Sequence, residues 1–571
     1  MILWSNLLLI LFNLAANYNG QQQQHGDNGQ TIAIIGSSRV VDTESSSAID
    51  NSDLKDDLQK AETPPPTIAI IGGGIGGTSS AYFLRELFTA AAATTADSQP
   101  SSLSDIAAVM DLYERNGELG GRLRTQLING RYYETGGTMI HERNRYARQL
   151  AAKFGLSRRD VDKHFDTKLC LFNGKSFDFC ESSLSLWTYL KIWYRYGFDV
   201  HKLESKVSKI MDYFDNIYSL QEDHNIQFDT VDQLLTAMNP LIKNLTKITY
   251  KDYLTNARLS KTFIDELVQS IALVNYGQDV SIPAFVGSVS FAGAGANLWS
   301  IKGGNKLLAK NLAKHSAANI HLNTRVDSVT QLAPNMFDVT VTDTVTGQST
   351  TRRYNSVIIA TPLTENQIRF NNFTDDNINL KNHINGKQRR YHRTVATLVA
   401  GKLLKKFNGK DILCDNKSTF FTSIGRLSPV DDDDNDQSIS AAAAEEEKTP
   451  VYKVFSPTPL TTEQLSMIFS DIQSVHITDW YAYPEYDTVT EPLPSFLLSS
   501  SSSAGGGSGG GGVYHLNAIE WAASAIEMSL IGGKNVALLA YNQFGGKTNV
   551  FNIDNKTLNN NNNRRLVVDE L

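Results

Sequence analysis

Three glycines spaced for phosphate binding follow a short apolar run near the start of the chain. The run Ile68–Ile71 has the length and composition of a buried parallel strand. Gly72, Gly74 and Gly77 then fit the pattern G-x-G-x-x-G, and residues 78–88 have helical composition. In a strand–turn–helix of this kind the glycines permit a tight turn and a close approach of phosphate, and the helix N-terminus favours negative charge. The stretch therefore predicts a dinucleotide-binding turn.

An acidic residue ends the second apolar run, as the ribose of a dinucleotide requires. Residues 106–113 are predicted to form the second strand, and Glu114 follows directly. A carboxylate at this place can accept hydrogen bonds from ribose hydroxyls. Because the spacing from Gly72 exceeds the usual ~20 residues, we expect residues 89–105 to form a loop insertion between the first helix and the second strand.

The segment after Glu114 narrows the kind of dinucleotide. Gly120, Gly121 and Arg122 follow the acid closely. An acid followed by Gly-Gly-Arg resembles the FAD-binding oxidases of the amine oxidase and phytoene desaturase type, in which this segment wraps the ribose and pyrophosphate. The resemblance implies FAD as cofactor, with Gly121 and Arg122 among its contacts. A nicotinamide-binding Rossmann domain with a chance Gly-Gly-Arg is the alternative.

Two later segments extend this resemblance. In the same flavoproteins a Gly-Gly pair passes close to the isoalloxazine ring, which implies cofactor contacts for Gly137 and Met139. His141 follows as a contact to flavin or substrate, or as a structural histidine. A strand near Val326 resembles the one whose valine backbone meets adenine. The sequence points to no metal site and to no particular catalytic residue.

Composition and charge set the outer bounds. A chain of 571 residues is too long for one hydrophobic core, so two or more domains are expected. The net charge of −7, with no large basic block, argues against nucleic acid as a partner. Of the three cysteines, Cys170 and Cys180 flank a predicted hairpin turn and are either disulfide-bonded or two buried thiols.

The first twenty residues indicate a secretory signal. They carry an apolar core too short to span a bilayer, although no Lys or Arg precedes it. We expect a protein of the secretory pathway, in the lysosome or alternatively secreted or in the ER lumen. Later segments offer no transmembrane anchor, which leaves peripheral contact with a membrane or lipid open. Residues 31–36 repeat the first strand, but Ser38 and Val41 replace the second and third glycines, so no phosphate turn is expected there.

The predicted fold class is α/β. A Rossmann-like FAD-binding domain of the two-dinucleotide-fold type is combined with a second, α+β and largely helical, substrate domain. The chain is expected to begin with a signal peptide (1–20) and a disordered polar segment (21–66). The FAD-binding domain is expected in three parts (67–143, 285–370 and 513–550). A helical substrate domain (144–284) is expected to continue at 371–498, with an acidic insert (431–448), and a solvated Ser/Gly linker (499–512) and a tail (551–571) complete the chain.

Two features of the later chain bear on the site. An aromatic-rich stretch, residues 184–198, is expected either to line a pocket for a long hydrocarbon or to pack in the domain core. Near the end, Asn517 is predicted to cap a helix that stops at Gly532-Gly533. In flavin oxidases of this shape a late helix points its positive end at the flavin, and His515 would lie near the ring.

Taken together, the chain resembles the prenylcysteine oxidase (prenylcysteine lyase) family. The resemblance rests on four segments: TIAIIGGGIGGTSSAYFL, YERNGELGGRLRT, YYETGGTMIHERN and NAIEWAASAIEMS. The resemblance implies oxidation of farnesyl- or geranylgeranyl-cysteine with oxygen and water to cysteine, a prenyl aldehyde and hydrogen peroxide, without an obligate protein partner. Two alternatives are another FAD-dependent amine or polyene oxidase and a non-enzymatic prenyl-binding escort.

Overall fold

The computed structural model describes residues 65–94, 108–160, 167–295, 297–333, 335–363, 368–373, 389–431, 449–488, 492–500, 511–546 and 548–551. The expected signal peptide, the repeated TIAIIG, nearly all of the acidic insert and nearly all of the tail lie outside these residues. Among the helices described, none is long and apolar enough to cross a membrane.

The strands are short except for two long partners in the second half of the chain. In chain order they are β1 (Thr67–Ile71), β2 (Val109–Tyr113), β3 (Thr125–Ile128), β4 (Arg131–Glu134), β5 (Ile140–His141), β6 (Arg158–Asp160), β7 (Lys168–Phe172), β8 (Phe177–Cys180), β9 (Ile226–Gln227), β10 (Leu298–Ile301), β11 (Asn319–His321), β12 (Thr324–Ala333), β13 (Met336–Asp343), β14 (Ser349–Tyr354), β15 (Ser356–Ile359), β16 (Arg369–Asn371), β17 (Tyr391–Leu403), β18 (Lys410–Cys414), β19 (Ser423–Arg426), β20 (Val451–Ser456), β21 (Phe469–Pro484), β22 (Leu497–Ser500), β23 (Gly512–His515) and β24 (Asn549–Val550).

The helices cluster in the middle of the chain, with one long helix near each end. They are α1 (Ile75–Thr94), α2 (Arg145–Lys153), α3 (Ser185–Tyr196), α4 (Asp199–Phe214), α5 (Asn216–Glu222), α6 (Val231–Met238), α7 (Pro240–Asn244), α8 (Tyr250–Asn256), α9 (Lys261–Phe263), α10 (Gln269–Tyr276), α11 (Ala284–Ala292), α12 (Lys306–His315), α13 (Thr462–Ser466) and α14 (Ile526–Gln543). A π-helical turn (Ile264–Val268) joins α9 to α10, and a 3₁₀ turn (Leu516–Trp521) precedes α14.

One sheet gathers strands from distant parts of the chain. Its order is β11-β2-β1-β15-β23-β22, and β1 pairs in parallel with both β2 and β15. The residues of β1 from Ile68 to Ile71 are buried, as parallel strands covered on both faces require. Since β1, β15 and β23 come from three separate stretches, the sheet unites the three segments assigned to the FAD-binding half. The Rossmann-like fold prediction is confirmed.

A second sheet forms the other half of the molecule. Its order is β21-β17-β20-β19-β18-β7-β8, with β17 and β21 paired antiparallel along most of their length. The helices of residues 185–292 pack beside it and share a continuous buried core with α1 and α14. The chain thus combines helices with mixed sheets, while the largely helical character of the substrate domain and the exact domain boundaries stay predictions.

The last long helix differs from the prediction at both ends. Asn517 lies inside the 3₁₀ turn, Ala525 occupies the N-cap position of α14, and the helix continues through Gly532-Gly533 to Gln543. The glycine pair serves the close crossing of α14 over α1, because a Cβ on Gly533 would overlap the hydroxyl of Ser79. Glycine inside a helix is disfavoured by propensity, and tertiary packing outweighs that preference here.

Two predicted loop boundaries are also wrong. Helix α1 extends to Thr94, so the loop insertion expected from residue 89 begins later. The Ser/Gly segment is ordered at both ends, where Ser499 pairs with Val513 and Ser500 with Gly512 in the six-stranded sheet. Edge pairing recruits these residues despite their weak strand propensity, which local composition does not reveal.

The hairpin of β7 and β8 resolves the cysteine alternatives. Cys170 and Cys180 face each other across the two strands and form a disulfide. Cys414 is the free, buried cysteine of the chain.

Candidate functional site

The glycine turn stands between β1 and α1, as predicted. Gly72 has a positive φ of 112°, which favours glycine. A Cβ on Gly77 would overlap the carbonyl oxygen of Gly72, so this position holds the helix close to the strand. By contrast, a Cβ on Gly74 would meet no atom nearer than 3.9 Å, from Gly121. The space beside Gly74 is therefore open toward the cavity, in keeping with the approach of a phosphate.

Glu114 reaches back to the glycine turn from the end of β2. Its Oε2 accepts a hydrogen bond of 2.8 Å from the backbone N–H of Gly73. Its Oε1 accepts hydrogen bonds from the backbone and side chain of Asn116, at 2.9 and 2.6 Å. These bonds orient a carboxylate that is 6% exposed and lines the cavity at the position expected for ribose contact.

The Gly120–Arg122 segment closes over the same turn. The backbone N–H of Gly120 donates to the carbonyl of Gly73 at 2.9 Å. Arg122 lines the cavity, forms an ion pair with Glu520 and donates to the carbonyl of Ala482 at 2.6 Å. Burial alone would lower the pKa of Arg122, but the charge of Glu520 and its hydrogen bonds raise it on balance.

The remaining predicted cofactor contacts also line the cavity. Gly137 and Met139 lie on the segment between β4 and β5, and Val326 lies on β12. The structure thus brings eight of the nine predicted cofactor residues to one cavity, from four separate stretches of chain: Gly72, Gly74, Glu114, Gly121, Arg122, Gly137, Met139 and Val326. The ninth, Gly77, does not line the cavity and packs against Gly72 behind the turn.

The two histidines have different surroundings. His141 lines the cavity, and its Nδ1 accepts a hydrogen bond of 3.1 Å from the backbone N–H of Arg143. Burial, and then the positive charge of Arg143, lower the pKa of His141 to about 4, so the ring is neutral at higher pH. His515 instead ends β23 inside the sheet, 1% exposed, and does not belong to the cavity wall.

Sequence reasoning missed a buried acid–base pair in the wall. The ammonium of Lys453, on β20, donates to the carbonyl of Glu134 and to the hydroxyl of Thr138, both at 3.3 Å. Glu134 Oε1 accepts from the backbone N–H of Asn305 at 2.6 Å. Burial raises the pKa of Glu134 and lowers that of Lys453. A sequence separation of 319 residues between Lys453 and Glu134 leaves no local signal for this pair.

The cavity is larger than one small ligand needs. Its volume is about 1490 Å³, against roughly 300–1,000 Å³ for typical ligand pockets. The glycine turn and Arg122 occupy one part of its wall, and four apolar residues of α4 occupy another: Val207, Ile210, Met211 and Phe214. The cavity thus has room for an extended dinucleotide and for a second, apolar molecule.

Three residues that line the cavity carry buried polar atoms without a hydrogen-bond partner in the part of the chain that the structure describes. Asn517 Oδ1, Glu134 Oε2 and Thr394 Oγ1 are buried and have no hydrogen-bond partner among the described residues. Buried polar groups in proteins are almost always paired. Together with the open cradle at Gly74, these atoms fit a bound dinucleotide such as FAD. No cluster of metal-ligating side chains occurs in the described ranges.

Comparison with known proteins shows the family of this chain. A family model described as prenylcysteine lyase matches residues 179–555. Prenylcysteine oxidase 1 of Bos taurus is 33% identical over 459 residues, covering 77% of this chain and 84% of that protein. The human protein of the same name is 32% identical over 464 residues, covering 78% and 86% of the two chains.

A solved structure supports the fold independently. Cyclohexylamine oxidase from Brevibacterium oxydans IH-35A aligns with a TM-score of 0.50 at 15% identity, covering 84% of this chain and 100% of that one. At this identity the likeness concerns the fold alone. The sequence relatives and the family match over residues 179–555 show that the chain belongs to the prenylcysteine lyase family.

Proposed function

We propose that the protein is an FAD-dependent thioether oxidase that cleaves prenylcysteines. The reaction consumes a prenylcysteine, oxygen and water, and yields cysteine, a prenyl aldehyde and hydrogen peroxide. The observation that carries the proposal is one cavity that joins a dinucleotide cradle to an apolar wall, in a chain that belongs to the prenylcysteine lyase family. An apolar wall is what a farnesyl or geranylgeranyl chain requires.

The residues of the cradle would hold the cofactor. Gly74 and the N-terminus of α1 suit the pyrophosphate, and Glu114 suits a ribose. Gly137 and Met139 would lie beside the ring, with Val326 near the adenine. When bound, FAD supplies the two-electron acceptor for oxidation of the carbon next to sulfur.

The protein's own groups bind and orient the substrate. The apolar side chains of α4 exclude water from the prenyl chain and hold its sulfur-bearing carbon in a fixed position. Neutral His141 offers its Nε2–H as a hydrogen-bond donor inside the cavity without adding charge. The buried Lys453 holds the Glu134–Thr138 segment in place, because both of its described acceptors lie there.

We also propose a secretory-pathway location, most simply the lysosome. The apolar N-terminal twenty residues support it, and so does the Cys170–Cys180 disulfide, since such bonds persist in oxidising compartments. Expression of the full chain and of a chain lacking residues 1–20, each with a C-terminal fluorescent tag, tests the location. Lysosomal signal from both forms would contradict the role of the N-terminal segment.

An anaerobic absorbance spectrum, recorded before and after addition of farnesylcysteine, tests the function. Flavin bands that bleach and then return with air, with release of peroxide, are the expected result. An equal concentration of cyclohexylamine serves as the control substrate. Bleaching by the amine alone would identify an amine oxidase, and a chain that binds farnesylcysteine but takes up no FAD would identify an escort.

A further inference from the structure

Helix α3 turns its apolar face to solvent. Leu186, Trp187, Leu190, Trp193 and Tyr194 recur at the spacing of one helical face, and their exposed fractions reach 68% at Leu186 and 90% at Tyr194. The opposite face carries the buried residues of the helix, so its orientation is set by packing on the protein. Both sequence-based alternatives for this aromatic stretch, a pocket wall and a domain core, are therefore wrong for most of it.

Residues flanking α3 extend this surface. Leu184 is 62% exposed and Phe198 is 63% exposed. We call the set the α3 patch: Leu184, Leu186, Trp187, Leu190, Trp193, Tyr194 and Phe198. Since aromatic side chains present roughly 150–250 Å² each, the patch offers several hundred Å² of apolar surface, a size that marks an interaction site.

The charges around the patch are one-sided. Residues 185–209 contain five Lys or Arg and two carboxylates, in a chain whose net charge is −7. The two carboxylates, Asp199 and Glu204, are only 8% and 16% exposed. Arg195 forms an ion pair with Glu266 and Lys202 forms one with Asp199, whereas Lys191 and Lys209 extend from the exposed surface. The surface thus combines indole, phenol and aliphatic groups with cations, and displays little negative charge.

We propose that the α3 patch docks the protein on the surface of an anionic phospholipid bilayer. Trp and Tyr favour the boundary between headgroups and acyl chains, where one part of the ring is apolar and the other is wet. Helices that lie in this boundary combine such residues with Lys and Arg. Each lysine near an anionic surface adds to the attraction.

A second copy of the chain fits the patch less well. Two copies related by a twofold axis would bring the same surface of each together. Lys191 would then face a neighbourhood with the same positive charge, and like charges in an interface are unfavourable. A single convex helix also offers no groove into which a partner protein could fit, whereas a fluid bilayer can adapt to its convex surface.

The placement of α4 connects the patch to the cavity. This helix starts at Asp199, directly after Phe198, and ends at Phe214, which lines the cavity. Its 16 residues span about 24 Å. The patch therefore ends where α4 begins, and the other end of the same helix forms part of the apolar cavity wall. The docking itself depends only on the patch and not on the proposed function.

Vesicle flotation of the full FAD-loaded chain tests the proposal. The vesicles are phosphatidylcholine with or without phosphatidylserine. We expect the protein to float with the anionic vesicles, and a Trp187→Ser/Trp193→Ser variant to lose at least about tenfold in partition coefficient. Val345→Ser is the matched control, because Val345 is 76% exposed on the distant β13–β14 turn. It should leave flotation unchanged.

Two further measurements keep the result interpretable if the double variant folds poorly. Tyr194→Asp, at the most exposed position, should weaken flotation while the flavin spectrum stays native. In the wild-type chain, tryptophan fluorescence should be quenched by brominated phosphatidylcholine. Undiminished flotation of either patch variant would overturn the proposal. So would the absence of flotation in the wild-type chain, or a lipid-free dimer that the Trp187→Ser/Trp193→Ser variant abolishes.

Discussion

The guanidinium of Arg122 and the carboxylate of Glu520 form an ion pair in the wall of the cavity, although 398 residues separate them in sequence. Glu520 is 1% exposed and also accepts hydrogen bonds from Asn517, at 2.8 Å, and Tyr391, at 3.2 Å. The pair ties the Gly-Gly-Arg segment to the 3₁₀ turn before α14. The two ends of the cofactor-binding half therefore depend on each other.

Removal of either partner should destabilise the protein. Glu520→Ala leaves a charged Arg122 that is about a third exposed, so we expect a loss of about 2 kcal/mol in the free energy of unfolding. Denaturant unfolding of Glu520→Ala, Arg122→Ala and the double variant measures the coupling. Arg393→Ala is the control, since Arg393 pairs with Asp479 at the surface and its removal should change the free energy of unfolding much less than removal of Arg122 or Glu520. Additive losses at Arg122 and Glu520 would contradict the coupling.

Two glycine variants should separate cofactor binding from folding. Gly74→Ala adds a methyl group on the side that is open toward the cavity. The thermal midpoint of the apoprotein should therefore stay unchanged, while the Kd for FAD should rise at least about tenfold. Gly77→Ala places its methyl group against the carbonyl of Gly72 and should lower the midpoint itself. Calorimetry and flavin titration check both. A Gly74→Ala chain with native FAD affinity would contradict the assigned cradle.

His141 should make stability depend on pH. The folded state resists protonation, with a pKa of about 4 for His141, whereas the unfolded chain takes up a proton near 6.5. The contribution of neutral His141 to the free energy of unfolding is fully present above pH 6.5. It declines as the pH falls toward 4, by at most about 3 kcal/mol. His141→Asn, whose carbonyl can keep the bond to Arg143, should flatten this decline in unfolding curves. Identical pH profiles would contradict the lowered pKa.

The apolar end of the cavity should set the preference for prenyl length. Met211 lies on α4 in the cavity wall, and Met211→Trp narrows that end. We expect KM to rise more for geranylgeranylcysteine than for farnesylcysteine, because the longer chain needs more of the space. Met467→Trp, on an exposed residue outside the cavity wall, is the control. Equal changes in KM for the two substrates would place the prenyl chain elsewhere.

Local sequence patterns were sufficient to predict the glycine turn and the acidic residue of the cofactor-binding half. The apolar run of β1, the spacing of Gly72, Gly74 and Gly77, and the acid at Glu114 each depend on neighbours within a few residues. Turn geometry and strand burial are encoded at that range. The late helix failed under the same reasoning, because the signal for a helix end at Gly532-Gly533 was outweighed by the crossing with α1.

The aromatic stretch of α3 marks another limit. The sequence analysis predicted a pocket wall or a domain core for it from its aromatic residues alone, but residue type does not say whether a side chain contacts protein or solvent. Only the packing of Thr188, Ile192 and Tyr196 on the protein decides the orientation.

The sequence by itself determined the dinucleotide turn, the resemblance to a flavoprotein family and the first two strands of the parallel sheet. The tertiary structure alone decided which distant groups meet: Arg122 with Glu520, Lys453 with Glu134, and the apolar face of α3 with solvent. The reason is physical. Turns and periodic faces arise from interactions between near neighbours, whereas contacts across hundreds of residues follow from the packing of the whole chain, whose many small contributions leave no mark in any one segment.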